Sequence, residues 1–533
     1  MSPHPEQLAG FRPREPDNEL FRALVASSTD IIAVIDAEMR LLYASPSAWR
    51  QLGYRPEDRL GRSVLELLHP DDFEASSRRL ARTVATPGEA PPHQFRIATA
   101  GGEWRHVESR ASNRLDDPEV AGVILNVRDI SERAHLTRAL RTLGEGNQAL
   151  VRSTDETRLL QQMCETVVQS GGYQLAWVGY AEDDAARNVR PVAAAGAVDY
   201  LDDVQITWAD DEHGRGPTGA AIRSGTVQVA HDLRSLSTYA PWRGRALAHG
   251  FRTSLVMPLS KHRQVIGALS IYSDEVGAFD PPSVALLQQL ADDLTYGIAR
   301  LRDAARLGRS LEATIGALAT MSELRDPYTA GHQARVGALG AAIAVELGLS
   351  EDVVSGIQVA GELHDVGKIA IPTELLARPA RLTDAEMELV RCHSQRGYDI
   401  VSGIDFPWPV ADMVLQHHER LDGSGYPHGL RGEDTLLGSK VLAVADTVEA
   451  MSNHRPYRPG LGLEQALEEI TAGAGVRYDP AAAAACLTLF HEDRFSYHTT
   501  RLATDPDSWV MPLAREIPRA QVTGWPDVAS GDR

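Results

Sequence analysis

The stretch Gly361-Glu-Leu-His-Asp-Val-Gly-Lys-Ile-Ala-Ile-Pro372 places an imidazole, a carboxylate and an ammonium within five residues. Further clusters surround it: His332, His393, the dyad His417-His418, and Asp446. The host segment, about residues 312–495, carries apolar residues at helical spacing with turns at Gly or Pro, so an all-helical bundle is expected there. Neighbours on a helix point about 100° apart, so a dyad cannot place both side chains on one stripe. Adjacent ligands suit a centre with ligand positions on both sides. A carboxylate such as Asp365 can bridge two cations through its two oxygens. Mixed imidazole and carboxylate donors suit Fe, Mn, Zn or Co better than Ca or Mg. Two such ions about 3.5–4 Å apart can generate hydroxide near neutral pH and stabilise attack on a phosphodiester.

Of the 53 basic residues only three are lysines, Lys261, Lys368 and Lys440. Lys368 follows the His364-Asp365 dyad by three residues. A compact, strongly hydrated point charge differs from a planar guanidinium, so Lys368 reads as chosen for its ammonium.

At 533 residues the chain is too long for one core, and three or four domains are expected. The net charge of −20 argues against a general DNA or anionic-membrane binder. Cys164, Cys392 and Cys486 form no CxxC pair, which points to a reducing compartment. No apolar run reaches about 18 residues, and the N-terminus has no signal pattern. A cytoplasmic protein without membrane insertion is expected.

Residues 1–16 are Pro-rich and polar and read as disordered. A helix is expected near Asp17–Leu24, then a hairpin from Ile31–Ile35 and Leu41–Ala44, a second hairpin around Gly101-Gly102, and a last strand over Val120–Val127. With Gly53-Tyr54, His69-Pro-Asp-Asp72 and the closing Arg128-Asp-Ile-Ser-Glu-Arg133, residues 17–133 resemble a PAS sensor domain. His69 is read as a structural loop residue rather than a haem ligand. A connector helix follows over 134–152, broken by Gly144 and Gly146. Residues 153–300 hold a Gly-rich loop, Gly214–Gly225, and the strand pair Ser254–Leu259 and Val265–Tyr272. They resemble a GAF domain. The loop lacks the GxxxxGK[ST] pattern and is read as structural rather than phosphate-binding. Neither resemblance names a ligand. Leu290, Leu294, Gly297, Leu301, Ala304, Gly308, Leu311, Ile315 and Leu318 step by four and three, a heptad seam that predicts a coiled-coil-like helix over 301–318 and a parallel homodimer.

His364-Asp365 with Asp446 resembles the HD phosphohydrolase superfamily. His417-His-Glu-Arg-Leu-Asp-Gly-Ser-Gly-Tyr-Pro427 matches the signature of its HD-GYP branch, and Gly367-Lys368 and Arg455-Pro-Tyr-Arg458 also fit. The resemblance covers the whole 312–495 region, with the HD-GYP domain itself expected over 319–495. The expected fold class is therefore multidomain, with two α+β sensor domains built on antiparallel sheets joined by helices to an all-α bundle. The resemblance implies hydrolysis of cyclic di-GMP to pGpG, and in some members to GMP, by hydroxide activated at two metals, with Fe or Mn first among them. It implies that His332, His364, Asp365 and Asp446 hold one metal, and Asp365, His393, His417 and His418 the other. Lys368 would meet the scissile phosphate or a bridging water. Arg455 and Arg458 would bind substrate phosphates, bidentate guanidinium suiting that task, and Tyr426 would line the site. Members with a third metal carry Glu four residues before the first His; here that position is Tyr328, which implies a binuclear site. Residues 496–533 are a tail without periodicity, in which Trp509–Leu513 is a candidate docking segment. Two alternatives stay open: another cyclic dinucleotide as substrate, or a non-catalytic signalling protein that meets a partner at the GYP loop. Kinase ATPase boxes are not found.

Overall fold

The computed structural model describes residues 18–497, apart from 203, 262–263, 326–330, 379–380 and 453–460. The expected disordered N-terminus, Tyr328, Arg455, Arg458 and nearly all of the tail lie outside the described residues. The chain divides into two compact units, Met1–Arg300 and Leu301–Arg533.

The first unit holds two antiparallel five-stranded sheets. One contains β1 (Ile31–Ile35), β2 (Leu41–Ala44), β3 (Gly88–Ala98), β4 (Trp104–Arg114) and β5 (Gly122–Asp129), in the order β2-β1-β5-β4-β3. The other contains β6 (Leu175–Ala181), β7 (Val189–Gly196), β8 (Gln228–Ala230), β9 (Thr253–Lys261) and β10 (Gln264–Ser273), in the order β7-β6-β10-β9-β8. Counted from the first strand of each, the two orders are the same. The predicted hairpins are present. The second is longer than its sequence signal, because β3 runs through Pro91 and Pro92 at an irregularity between Ala90 and His93. Proline cannot donate to a ladder, and β3 lies at the sheet edge where no donor is needed.

The two sheets differ in what they enclose. The first covers an apolar cavity of about 140 Å³ whose walls include Leu41, Trp49, Phe95 and Leu125, with Arg59 at its border. The pocket in the second, lined by Tyr200, Tyr239, Trp242 and Tyr272, is about 10 Å³, room for no more than about one water. His69 caps the helix Pro70–Ala85, its Nδ1 accepting from the Asp71 amide at 3.1 Å, which matches its structural reading.

The expected break at Gly144 and Gly146 is absent. Helix α1 (Ser131–Arg152) passes through both glycines, and the chain turns only at Ser153–Asp155 before the helix Glu156–Gln169. Gly146 serves close packing: a Cβ there would sit 2.3 Å from Leu290 Cδ1. Helix α2 (Pro281–Glu323) runs 43 residues without interruption. Its predicted seam is largely used within each unit. Leu290 and Leu294 are fully buried, and Leu311, Ile315 and Leu318 pack on the core of the second unit.

The second unit is helical as expected. Helices α3 (His332–Glu346), α4 (Glu351–Leu363), α5 (His393–Val401), α6 (Val410–Gln416) and α7 (Leu437–Ser452) surround a core that includes Leu339, Ile343, Ile357, Leu363, Met413 and Leu442. All six are fully buried, each contributing roughly 1.5–3 kcal/mol by leaving water. No described helix is long and apolar enough to cross a membrane.

Candidate metal centre

The candidate ligands sit mostly at helix ends. His332 opens α3, His364 caps the C-terminus of α4 and Asp365 follows it, His393 opens α5, and His417 caps α6 with His418 next. Asp446 alone lies inside a helix, α7. The backbone leaves the helical path just after His364 and His417, so adjacent side chains can reach a common point. This explains the two dyads better than a continuous helix does. A 3₁₀ turn, Val366–Ala370, then carries Lys368 back onto Asp365.

The donors converge. His332 Nε2 lies 3.3 Å from Asp446 Oδ1 and 3.7 Å from Asp365 Oδ2. His364 Nε2 lies 3.3 Å from Asp365 Oδ2. On the other carboxylate oxygen, His393 Nε2 is 3.4 Å from Asp365 Oδ1, and His393 Nε2 and His417 Nε2 are 3.4 Å apart. His418 Nδ1 stands 3.9 Å from Asp446 Oδ2. Lys368 Nζ is 2.6 Å from Asp365 Oδ2. The geometry yields His332–His364–Asp446 and His393–His417–His418 as separate donor groups, with Asp365 between them. All seven except His418, which is partly exposed, are buried.

Backbone carbonyls fix the ring protons. His364, His393 and His417 each direct Nδ1 at the carbonyl three residues earlier, Gly361, Val390 and Val414, at 2.6–2.7 Å. A carbonyl only accepts, so each Nδ1 carries the hydrogen and each Nε2 presents a lone pair. His364 Nε2 is buried and makes no hydrogen bond, although Asp365 Oδ2 is near. A lone pair facing a carboxylate in a dry site is repulsive unless a cation stands between them. The residues present therefore fit a divalent transition metal.

Electrostatics agree. Burial pushes His393, His417 and His418 toward the neutral form that binds metal, and neighbouring imidazoles add to this at His417 and His418. Burial would favour protonated Asp365, but the Lys368 ammonium opposes it, and the carboxylate is held ionised. His332 is the exception. Burial lowers its pKa, yet hydrogen bonds to Asp446 and Glu449 raise it to about 9. That pocket demands a positive charge, and a metal ion competes with the proton for it.

Two functional residues escape the sequence reading. Glu449 is buried, pairs with His332 Nδ1, and is held by Arg335 Nε at 2.6 Å. Its spacing of three from Asp446 puts both on one face of α7, which is the signal that would have found it. Glu419, also buried, accepts the His428 and Leu430 amides at 2.8 and 2.9 Å and so pins the GYP loop, Asp422–Pro427. That loop sets Tyr426 against His418, ring centres 4.6 Å apart, so the structure brings Tyr426 to the centre. Glu449→Gln is expected to weaken metal affinity at the His332 side by about 10–100-fold, as read by metal titration with the His417 side unaffected.

Comparison with known proteins fits this layout. Residues 25–135 match the PAS fold family, 153–299 the GAF domain family and 317–482 the HD domain family. A cyclic di-GMP phosphodiesterase of Thermotoga maritima is 42% identical over 174 residues, 32% of this chain and 47% of that protein. The cyclic di-GMP phosphodiesterase response regulator RpfG of Xanthomonas campestris is 40% identical over 33% of this chain and 47% of its own length. The 3'3'-cGAMP-specific phosphodiesterase 3 of Vibrio cholerae is 31% identical over 39% of this chain and 48% of its own. The chain thus spans about half the length of the curated relatives it matches. Its three segments belong, in order, to the PAS-fold, GAF-domain and HD-domain families.

Proposed function

We propose that the chain is a sensor-regulated, metal-dependent phosphodiesterase that hydrolyses cyclic di-GMP to linear pGpG. One observation carries this reading. Two sets of buried imidazole and carboxylate donors meet at Asp365, whose two oxygens face different histidines, with the Lys368 ammonium against one of them. The names of the relatives, all acting on cyclic dinucleotides, support the substrate class.

In this reading His332, His364, Asp365 and Asp446 hold one divalent ion, and Asp365, His393, His417 and His418 hold a second, Fe or Mn first. Bound there, the pair acidifies a water near neutral pH and offsets phosphate charge. The remaining work falls to the chain. The three Nδ1–H···O=C bonds keep the Nε2 lone pairs aimed inward. Lys368 keeps Asp365 ionised and presents an ammonium to the scissile phosphate. Tyr426, packed on His418, gives the substrate a wall. Arg455 and Arg458 are assigned to the substrate phosphates from sequence. A homodimer through the connector helices and a signalling partner at the GYP loop belong to the same reading, as does a cytoplasmic location.

A second substrate is favoured by one observation, the relative specific for 3'3'-cGAMP. The test is purification under low oxygen, metal counting, and separate incubation with each dinucleotide. Two metals per chain and pGpG formed faster than 3'3'-cGAMP is opened are expected, with both activities lost on chelation. Full metal loading without a linear product from either would sink the reading. Preference for 3'3'-cGAMP would reassign the substrate.

A further inference from the structure

A second cluster of metal-type donors lies far in sequence from the HD centre, where the PAS and GAF segments meet in the first unit. His106 comes from β4, His135 from α1, and Glu275 from the loop between β10 and α2. His106 Nε2 lies 3.1 Å from Glu275 Oε1, and His135 Nε2 lies 3.4 Å from Glu275 Oε2. Donors at about 2.1 Å from a tetrahedral ion stand roughly 3.4 Å apart, so each separation suits a shared cation, and one donor atom from each of the three residues lies within 4.8 Å of the others. His135 and Glu275 are buried and His106 is partly so.

The surroundings fix these atoms. The His106 amide donates to Ser131 Oγ at 3.0 Å. The Glu275 amide donates to Ser273 Oγ, and its carbonyl accepts from Thr253 Oγ1 at 3.0 Å. Behind His135, Asp280 uses Oδ1 to accept the Ser283 amide at 2.8 Å. Its Oδ2 is buried, makes no hydrogen bond, and stands 3.6 Å from His135 Nδ1. A carboxylate on the far-nitrogen side of a histidine is a frequent neighbour of a metal-binding imidazole. His135 Nε2 faces the Glu275 carboxylate at 3.4 Å, a gap that a cation held by both would fill. Arg138 Nη1 touches Glu275 Oε2 at 3.2 Å, and its guanidinium also lies over the Tyr173 ring. It neutralises one carboxylate of two.

We propose that His106, His135 and Glu275 bind one divalent transition metal of the zinc class, which staples β4, α1 and the loop before α2 together. Imidazole with a single carboxylate selects zinc-class ions over calcium or magnesium. With three protein donors, the fourth position goes to water or to the second oxygen of Glu275.

The test uses the full chain, stripped of metal by a chelator and titrated with Zn²⁺. Bound zinc is counted after gel filtration. His106→Gln and His135→Gln are each expected to bind one zinc fewer per chain than the parent, while Arg138→Gln keeps the full count. An unchanged count in both histidine variants would overturn the proposal and leave the cluster as an ion-pair network. Folding of the variants is checked in a chain that also carries Asp365→Ala. Zinc is expected to raise its melting temperature, and the increment is expected to shrink when His106→Gln is added. An increment unchanged by His106→Gln also overturns the site. The HD residues are the same in both members of each comparison, so failure here leaves the proposed phosphodiesterase untouched.

Discussion

Asp365→Asn is expected to lower cyclic dinucleotide turnover on the order of 10³-fold, about 4 kcal/mol of transition-state stabilisation. The substitution keeps shape and volume. It removes the charge that His332, His364, His393 and Lys368 all face, and it replaces one acceptor oxygen by a donor nitrogen. An amide can serve the imidazole group on one side only, so both donor groups lose their common member. The partly buried Lys368 ammonium also loses the Asp365 carboxylate that stands 2.6 Å from its Nζ. Metal counting and kcat are expected to fall together. Turnover within about tenfold of the parent, with both metals retained, would show that Asp365 does not bridge.

Gly367→Ala is expected to destabilise the second unit by about 3 kcal/mol, a fall of roughly 6–12 °C in Tm for a unit of this size. A Cβ at Gly367 would stand 2.0 Å from the His393 carbonyl oxygen and 2.4 Å from the Gly397 amide nitrogen. Both are backbone atoms of α5, so no side-chain rotation relieves the clash. The 3₁₀ turn carrying Lys368 must part from the helix that begins with His393. Stability and the His393 side of the centre are therefore lost together. Gly403→Ala is the control, since nothing lies within 4 Å of its new Cβ. Thermal melting of the two variants checks the pair. Equal Tm values would mean that the turn moves away from α5 without cost.

The metal-type residues were legible because ionisable groups seldom sit in apolar helical sequence without a task. The dyads also implied ligands on two sides. Glu449 carried one weak signal, its spacing of three from Asp446, and Glu419 carried none, because a glutamate on or beside a helix ordinarily reads as a solvated charge. The contacts show Glu449 behind His332 and Glu419 beneath the GYP loop. Gly144 and Gly146 misled for the reverse reason. Local propensity reads glycine as a break, whereas the packing of Leu290 on α1 makes the lack of a side chain at Gly146 a requirement. The heptad seam had a comparable fault. Leucine spacing names a buried stripe but not the partner, and most of that stripe is used by the chain itself.

Helix α2 spans 43 residues, about 65 Å of unbroken rod. Its last turn reaches the centre: Ser322 Oγ donates to the Asp365 carbonyl at 2.8 Å, and Glu323 accepts the Gly331 and Gln333 amides just ahead of and within α3. Leu311, Ile315 and Leu318 of the same rod pack on the core of the second unit. The end of the rod and the candidate bridge thus form one packed body, and a substitution that displaced Ser322 would shift the Asp365 backbone with it.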